Sequence, residues 1–103
     1  MKFSVRVTDA AVLDQIEAAT WYEWQQDGLG RSFSDEVSTV LRELESDALL
    51  HPVRFADVRR VGLRRFTAYG IFYVVRADEV TVFGIVHGAR NPAWVRRRRN
   101  YLR

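Results

Sequence analysis

The chain has no cysteine, one lysine, one methionine and two prolines in 103 residues. Without cysteine there is neither a disulfide framework nor a thiolate nucleophile, a composition neutral to favourable for a reducing compartment. No apolar run approaches the ~20 residues that a membrane helix needs. The first residues, Met1-Lys2-Phe3-Ser4-Val5-Arg6, lack the unbroken apolar stretch of a signal peptide. A cytoplasmic location without membrane contact is therefore expected. No metal-ligand cluster, glycine-rich phosphate loop or Ser/His/Asp arrangement is present, so no metal and no cofactor are expected. Internal repeats and low-complexity linkers are also missing, and 103 residues suffice for one domain (1–103) with one core.

Arginine is what the chain has in excess, and it is unevenly placed. Residues 1–51 carry four cations against ten acids, a net −6, whereas residues 52–103 carry twelve arginines against three acids, a net +9. Such asymmetry points the C-terminal half towards nucleic acid or an acidic protein segment, or it simply solvates the surface. Arginine in place of lysine favours planar, two-point contacts to phosphate or carboxylate.

The most apolar part is Val58–Arg90. Val58–Phe66 reads as a strand mixing apolar residues and arginine. Tyr69–Ala77 and Val80–Val86 read as strands joined by a turn at Asp78-Glu79, rich in β-branched and aromatic residues. Strands apolar on both faces need cover on both faces. Upstream, Phe3, Val5 and Val7 alternate with polar residues, as in a half-buried edge strand. Thr8 or Asp9 can cap a helix from Ala10 to Gln26, with Leu13, Ile16 and Ala19–Thr20 on one face. Its aromatic end, Trp21, Tyr22 and Trp24, is either core or a docking surface. Gly28-Leu29-Gly30 turns the chain, and Ser32 opens a second helix with a Phe33, Val37, Val40, Leu41, Leu44 stripe, ending near Leu49 before Pro52. Asn91-Pro92 starts a final basic helix or tail anchored by Trp94. The expected fold is α+β: a small antiparallel sheet, made of the N-terminal strand and a three-stranded C-terminal meander, covered by an αα-hairpin.

That order, with Trp21-Tyr22-Glu23, Gly28-Leu29-Gly30, Phe33, Leu63-Arg64-Arg65-Phe66, Tyr69-x-Ile71-x-Tyr73 and His87-Gly88-Ala89-Arg90-Asn91-Pro92 followed by Trp94 and Arg97, resembles the RelE/ParE superfamily of toxins from bacterial type II toxin–antitoxin systems, in its ParE-like branch. One departure is Phe66-Thr67-Ala68-Tyr69, where the family usually has Phe-Pro-Tyr or Phe-Pro-Phe. The resemblance implies a growth inhibitor held in a toxin–antitoxin hetero-oligomer by an antitoxin draped over the helix hairpin and sheet. It implies two alternative activities. RelE-like members cut mRNA on the ribosome, and ParE-like members poison DNA gyrase without a hydrolytic site of their own. In the RNases an arginine usually follows the first tyrosine of the Tyr-x-apolar-x-Tyr strand, and here that position is Gly70. Catalytic candidates are His87, since an imidazole suits acid–base work near neutral pH, with Arg90 and Arg64 or Arg60. Candidate target- or partner-binding residues are Arg60, Arg64, Arg65, Arg90, Trp94, Arg96, Arg97, Arg98, Arg99, Trp21 and Trp24. The favoured expectation is a gyrase-poisoning toxin. A ribosome-dependent endonuclease and a degenerate toxin that only binds its antitoxin are the alternatives.

Overall fold

The computed structural model describes residues 2–102. Strand β1 (Ser4–Val7) leads into helices α1 (Asp9–Gln25) and α2 (Leu29–Asp47). Strands β2 (Val53–Phe55), β3 (Val58–Gly62), β4 (Tyr69–Arg76) and β5 (Glu79–His87) follow, then helix α3 (Pro92–Asn100). The five strands form one sheet in the order β1-β5-β4-β3-β2. The α1–α2 hairpin covers one face through Phe33, Val37, Val40 and Leu44 packed on Ile71, Tyr73, Val80 and Ile85. The other face holds a smaller apolar cluster of Val58, Val74, Phe83 and Val95, the last from α3. The α+β fold with a helical hairpin over the sheet is thus as the hydrophobic pattern predicts.

The sheet is mixed rather than wholly antiparallel. β1 runs parallel to β5, from Ser4 opposite Glu79 to Val7 opposite Val82. Parallel neighbours need a long crossover, and here the chain from α1 to β4 supplies it. Two further differences are local. β2 is an additional short strand, turned onto β3 at Ala56, which adopts φ 47°. The β4–β5 turn is Ala77-Asp78, one residue earlier than expected, with Ala77 at φ 52° and Arg76 paired with Glu79. β3 also stops at Gly62 rather than Phe66. The following loop is fastened to α2, where the Glu36 carboxylate accepts the backbone N–H groups of Arg64 and Arg65. Finally, Tyr73 faces Val82 while Phe72 faces Gly84, so Phe83 is an extra residue in β5. This bulge keeps Phe83 on the α3 side and returns Ile85 to the hairpin side.

The helices are placed by caps and close contact. Thr8 caps α1 by accepting the N–H of Ala11 at 3.2 Å. Gly28 alone breaks the chain, at φ 86°, and Leu29 and Gly30 already belong to α2. The exposed backbone donors at that end are taken by Glu23 of α1, which accepts from Gly28 at 2.9 Å and Gly30 at 3.0 Å. A methyl group on Gly30 would lie 2.4 Å from the Ala19 carbonyl, so the two helices meet backbone to backbone here. The buried face of α1 is accordingly small-sided, with Ala11 and Ala18 fully covered. Leu13 and Ile16, which mark one face of the helix in the sequence, are 59% and 54% exposed, so that face is turned to solvent. Ala11 and Ala18, with the partly buried Ala19 and Tyr22, make the helix's contact with the core cluster that includes the valines and Ile85 of β5.

At the other end of α2 the buried Tyr73 hydroxyl donates to the Ala48 carbonyl at 2.6 Å, satisfying a group the helix leaves open. Burial pushes the Tyr73 phenol from 10.0 up to about 12. The unfolded chain therefore loses this proton first. Stability is intact below pH 10 and falls as pH rises towards 12, an unfolding midpoint in urea measured across that range being the check. Gly30→Ala should cost about 1–3 kcal/mol by overpacking against Ala19. Gly28→Ala, with open space around it but a left-handed backbone, should cost about 1 kcal/mol from strain alone.

Candidate functional site

Two grooves flank the end of the β4–β5 ribbon, and His87 lines both. The one beside α1 has a volume of about 530 Å³ and takes Asp14, Trp21, Tyr22, Tyr69 and Arg90 into its walls. The one on the opposite sheet face, under α3, has about 420 Å³ and is walled by Arg54, Arg60, Phe72, Arg90 and Arg96. His87 Nδ1 accepts the backbone N–H of Ala89 at 3.0 Å, and its ring meets Tyr69 edge-on at 5.4 Å. Burial pushes the Tyr69 hydroxyl above its ordinary pKa, with Arg90 pulling the other way.

α3 starts as Asn91-Pro92 suggests. The Asn91 side chain accepts the N–H of Ala93 at 2.7 Å and Pro92 occupies the first turn. Its four consecutive arginines have divided tasks. Arg98 donates to both carboxylate oxygens of Asp14, at 2.9 and 3.2 Å, and to the carbonyl of Phe83 at 2.9 Å. The same Asp14 carboxylate accepts the N–H of Ile85 at 3.0 Å. These two groups of β5 lie beyond Val82, the last residue paired with β1. An acid from α1 and an arginine from α3 thus replace the missing neighbour strand. Arg99 makes two hydrogen bonds to Asp57, at 2.9 and 2.6 Å, in the β2–β3 turn. That bonding holds the Asp57 carboxyl below its ordinary range and Arg99 above its own. Arg97 is exposed. Arg96 lies over Phe55, 4.9 Å from its centroid, and faces the outer cleft. The basic C-terminal segment is therefore an ordered helix through Asn100, and Arg103 lies outside the described residues.

The remaining candidates fall into separate places. Arg64 pairs with Glu43 of α2 at 3.2 Å, and Arg65 lies over Phe66 at 5.3 Å. Both sit on the loop after β3 and line neither groove around His87. His87, Arg90 and Arg64 are thus not brought together. Arg60 joins His87 and Arg90 instead. Its guanidinium fills the space above Gly70, where a methyl group would be 2.4 Å from Nε, and lies 5.9 Å from the Phe72 centroid. Trp94 carries two guanidinium groups, Arg90 at 4.5 Å and Arg98 at 4.3 Å. Trp21 and Trp24 are 56% and 84% exposed, so they are surface rather than core. With Val12, Leu13 and Ile16, Trp24 forms an apolar stripe along the solvent side of α1.

Sequence reasoning missed Arg54, Phe55 and Phe72 in the cleft, and Asp14 and Asp57 as the anchors of α3. Only Gly70, two residues before Phe72 in a strand of large side chains, hinted that something lies flat across β4. Among the described residues, no group of three or more His, Asp or Glu could hold a metal ion, and no helix is long and apolar enough to cross a membrane.

A family model described as the ParE toxin of the type II toxin–antitoxin system parDE matches residues 5–92. A solved structure described as the chromosomal ParDE TA system from P. aeruginosa shares the fold, with a TM-score of 0.71 at 18% identity over 84% of this chain and 96% of that one. No curated protein matches the chain.

Asp14→Ala should remove one anchor of α3, leaving Arg98 only the Phe83 carbonyl as acceptor and the Ile85 N–H without its carboxylate. Both side chains of this pair are largely covered, and a loss of about 3 kcal/mol is expected. Hydrogen exchange should show the amides of Ile85 and of the α3 turns losing protection together.

Proposed function

The chain belongs to the ParE toxin family of type II toxin–antitoxin systems, and from that premise we propose that it inhibits growth by poisoning DNA gyrase and is silenced by a cognate antitoxin. The observation that carries the antitoxin half of this reading is the stripe on α1. Val12, Leu13, Ile16 and Trp24 are 42%, 59%, 54% and 84% exposed, although each would gain from leaving water. An amphipathic segment of a partner, laid along α1 with its own apolar positions inward, would bury them. The solved relative of the same fold is described as a ParDE toxin–antitoxin system, which agrees with a partner of that kind. The basic C-terminal half favours a partner, or a target complex, rich in negative charge.

Gyrase poisoning asks of this chain a binding surface rather than a reaction. The groove under α3 suits that role, since it gathers the guanidinium groups of Arg54, Arg60, Arg90 and Arg96 beside His87. The deciding experiment induces the chain alone in bacteria and follows DNA and protein synthesis by pulse-labelling over the first minutes. DNA synthesis should fall first, and His87→Ala should leave that effect nearly intact. Early collapse of translation, abolished by His87→Ala, would instead establish an RNA-cleaving toxin. The double variant Leu13→Glu with Ile16→Glu should remain as toxic as the natural chain while escaping a co-expressed antitoxin. It alters only exposed positions, so its melting temperature should move little.

A further inference from the structure

Arg54, Arg60, Arg90 and Arg96 converge on the cleft between the outer sheet face and α3, and no carboxylate lines it. None of the four forms an ion pair with a described residue. Three are held instead on aromatic rings: Arg60 on Phe72, Arg90 on Trp94 and Arg96 on Phe55. Ring contact fixes the plane of a guanidinium and leaves its N–H edges free for an acceptor. Arg60 is also seated by the absence of a side chain at Gly70. Burial and the neighbouring charge of Arg54 both lower its pKa, so an anion against it would be stabilising. Outside the cleft, Arg64, Arg98 and Arg99 each face a carboxylate; within it, four guanidinium groups share one concavity without any.

We propose that this cleft binds the phosphate backbone of a nucleic-acid strand, with Arg60 over Gly70 as its floor and Arg54, Arg90 and Arg96 along its rim. A strand supplies one negative charge per nucleotide, so successive guanidinium groups each find an acceptor. An acidic protein segment fits less well. Such a partner also needs apolar anchor sites, and here the rings are covered by guanidinium groups while the bare apolar surface lies on α1. The inference deepens the gyrase reading, and rests on it only for the nucleic acid being DNA.

The test is fluorescence anisotropy of the full chain with a labelled single-stranded oligodeoxynucleotide of mixed sequence, from about 50 mM salt upwards. Binding should weaken with salt. Arg60→Gln with Arg96→Gln should reduce affinity about tenfold or more and flatten the salt dependence by about 1.4, the share of two phosphate contacts on a single strand. Gly70→Ala should also weaken binding by displacing Arg60, although it leaves net charge unchanged. Arg31→Gln with Arg42→Gln, an equal charge loss on α2, should change little, and thermal melts check that each variant folds. No binding at low salt, or an equal loss in the α2 variant, overturns the proposal. So does competition by a poly-glutamate peptide of the same charge as strong as that by unlabelled DNA, which would assign the cleft to an acidic protein. Pulse-labelling in cells separates the two readings. Cleft variants that bind DNA as well as the natural chain, while the natural chain halts DNA synthesis, overturn the cleft and spare the gyrase reading. Cleft-dependent binding without inhibition of DNA synthesis does the reverse.

Discussion

β4 and β5 form a ribbon buried on both sides, with Ile71, Tyr73, Val80, Val82 and Ile85 towards the hairpin and Val74 and Phe83 away from it. Its two covers are very unequal. The hairpin presents a continuous row of large side chains from α2, whereas α3 contributes one fully buried residue, Val95. Burial of that size does not hold a nine-residue helix. The deficit is met by charge: Arg98 to Asp14 at one side and Arg99 to Asp57 at the other. The outer face is thus closed by ion pairs where the inner face is closed by apolar contact.

That inequality also creates the surfaces available for function. Because α3 is narrow and bound at its C-terminal half, the sheet beyond it stays open and the cleft with Arg60, Arg90 and Arg96 survives as a concavity. Because α1 meets its neighbours through alanine, its larger apolar residues are left on the solvent side. The charged surface and the apolar surface therefore lie on opposite sides of the sheet, so that a protein partner on one need not block a polyanion on the other.

Much of the frame could be read from the sequence because it is written locally. Thr8, Asn91-Pro92 and the Phe33–Leu44 stripe act within a few residues of themselves, and each did what its spacing predicts. Pairings between distant segments were not legible. The parallel joining of β1 to β5 and the union of Asp14 with Arg98, 84 positions apart, have no local signature. One inserted residue at Phe83 was enough to reverse the parity of the end of β5. The candidate site suffered most. Arg60 and Arg64 are equivalent in sequence pattern, yet the end of β3 at Gly62 sends one across the sheet and the other to Glu43. For α1, the apolar stripe was visible but its direction was not. Amphipathicity names two faces, and the packing of the helix on its neighbours decides which one is buried.

The clasp between Asp14 and Arg98 also sets an order of events in time. A ribosome makes Asp14 84 residues before Arg98. Until Arg98 emerges, the carbonyl of Phe83 lacks its donor and the ring of Phe83 lacks α3 above it. Over the 15 residues made between Phe83 and Arg98, the nascent chain therefore carries an exposed strand edge and an unsealed sheet face, the condition under which chains associate wrongly. The codons of α3 close the outer face, and a chain lacking them would keep the hairpin core yet lose the seal on its other side.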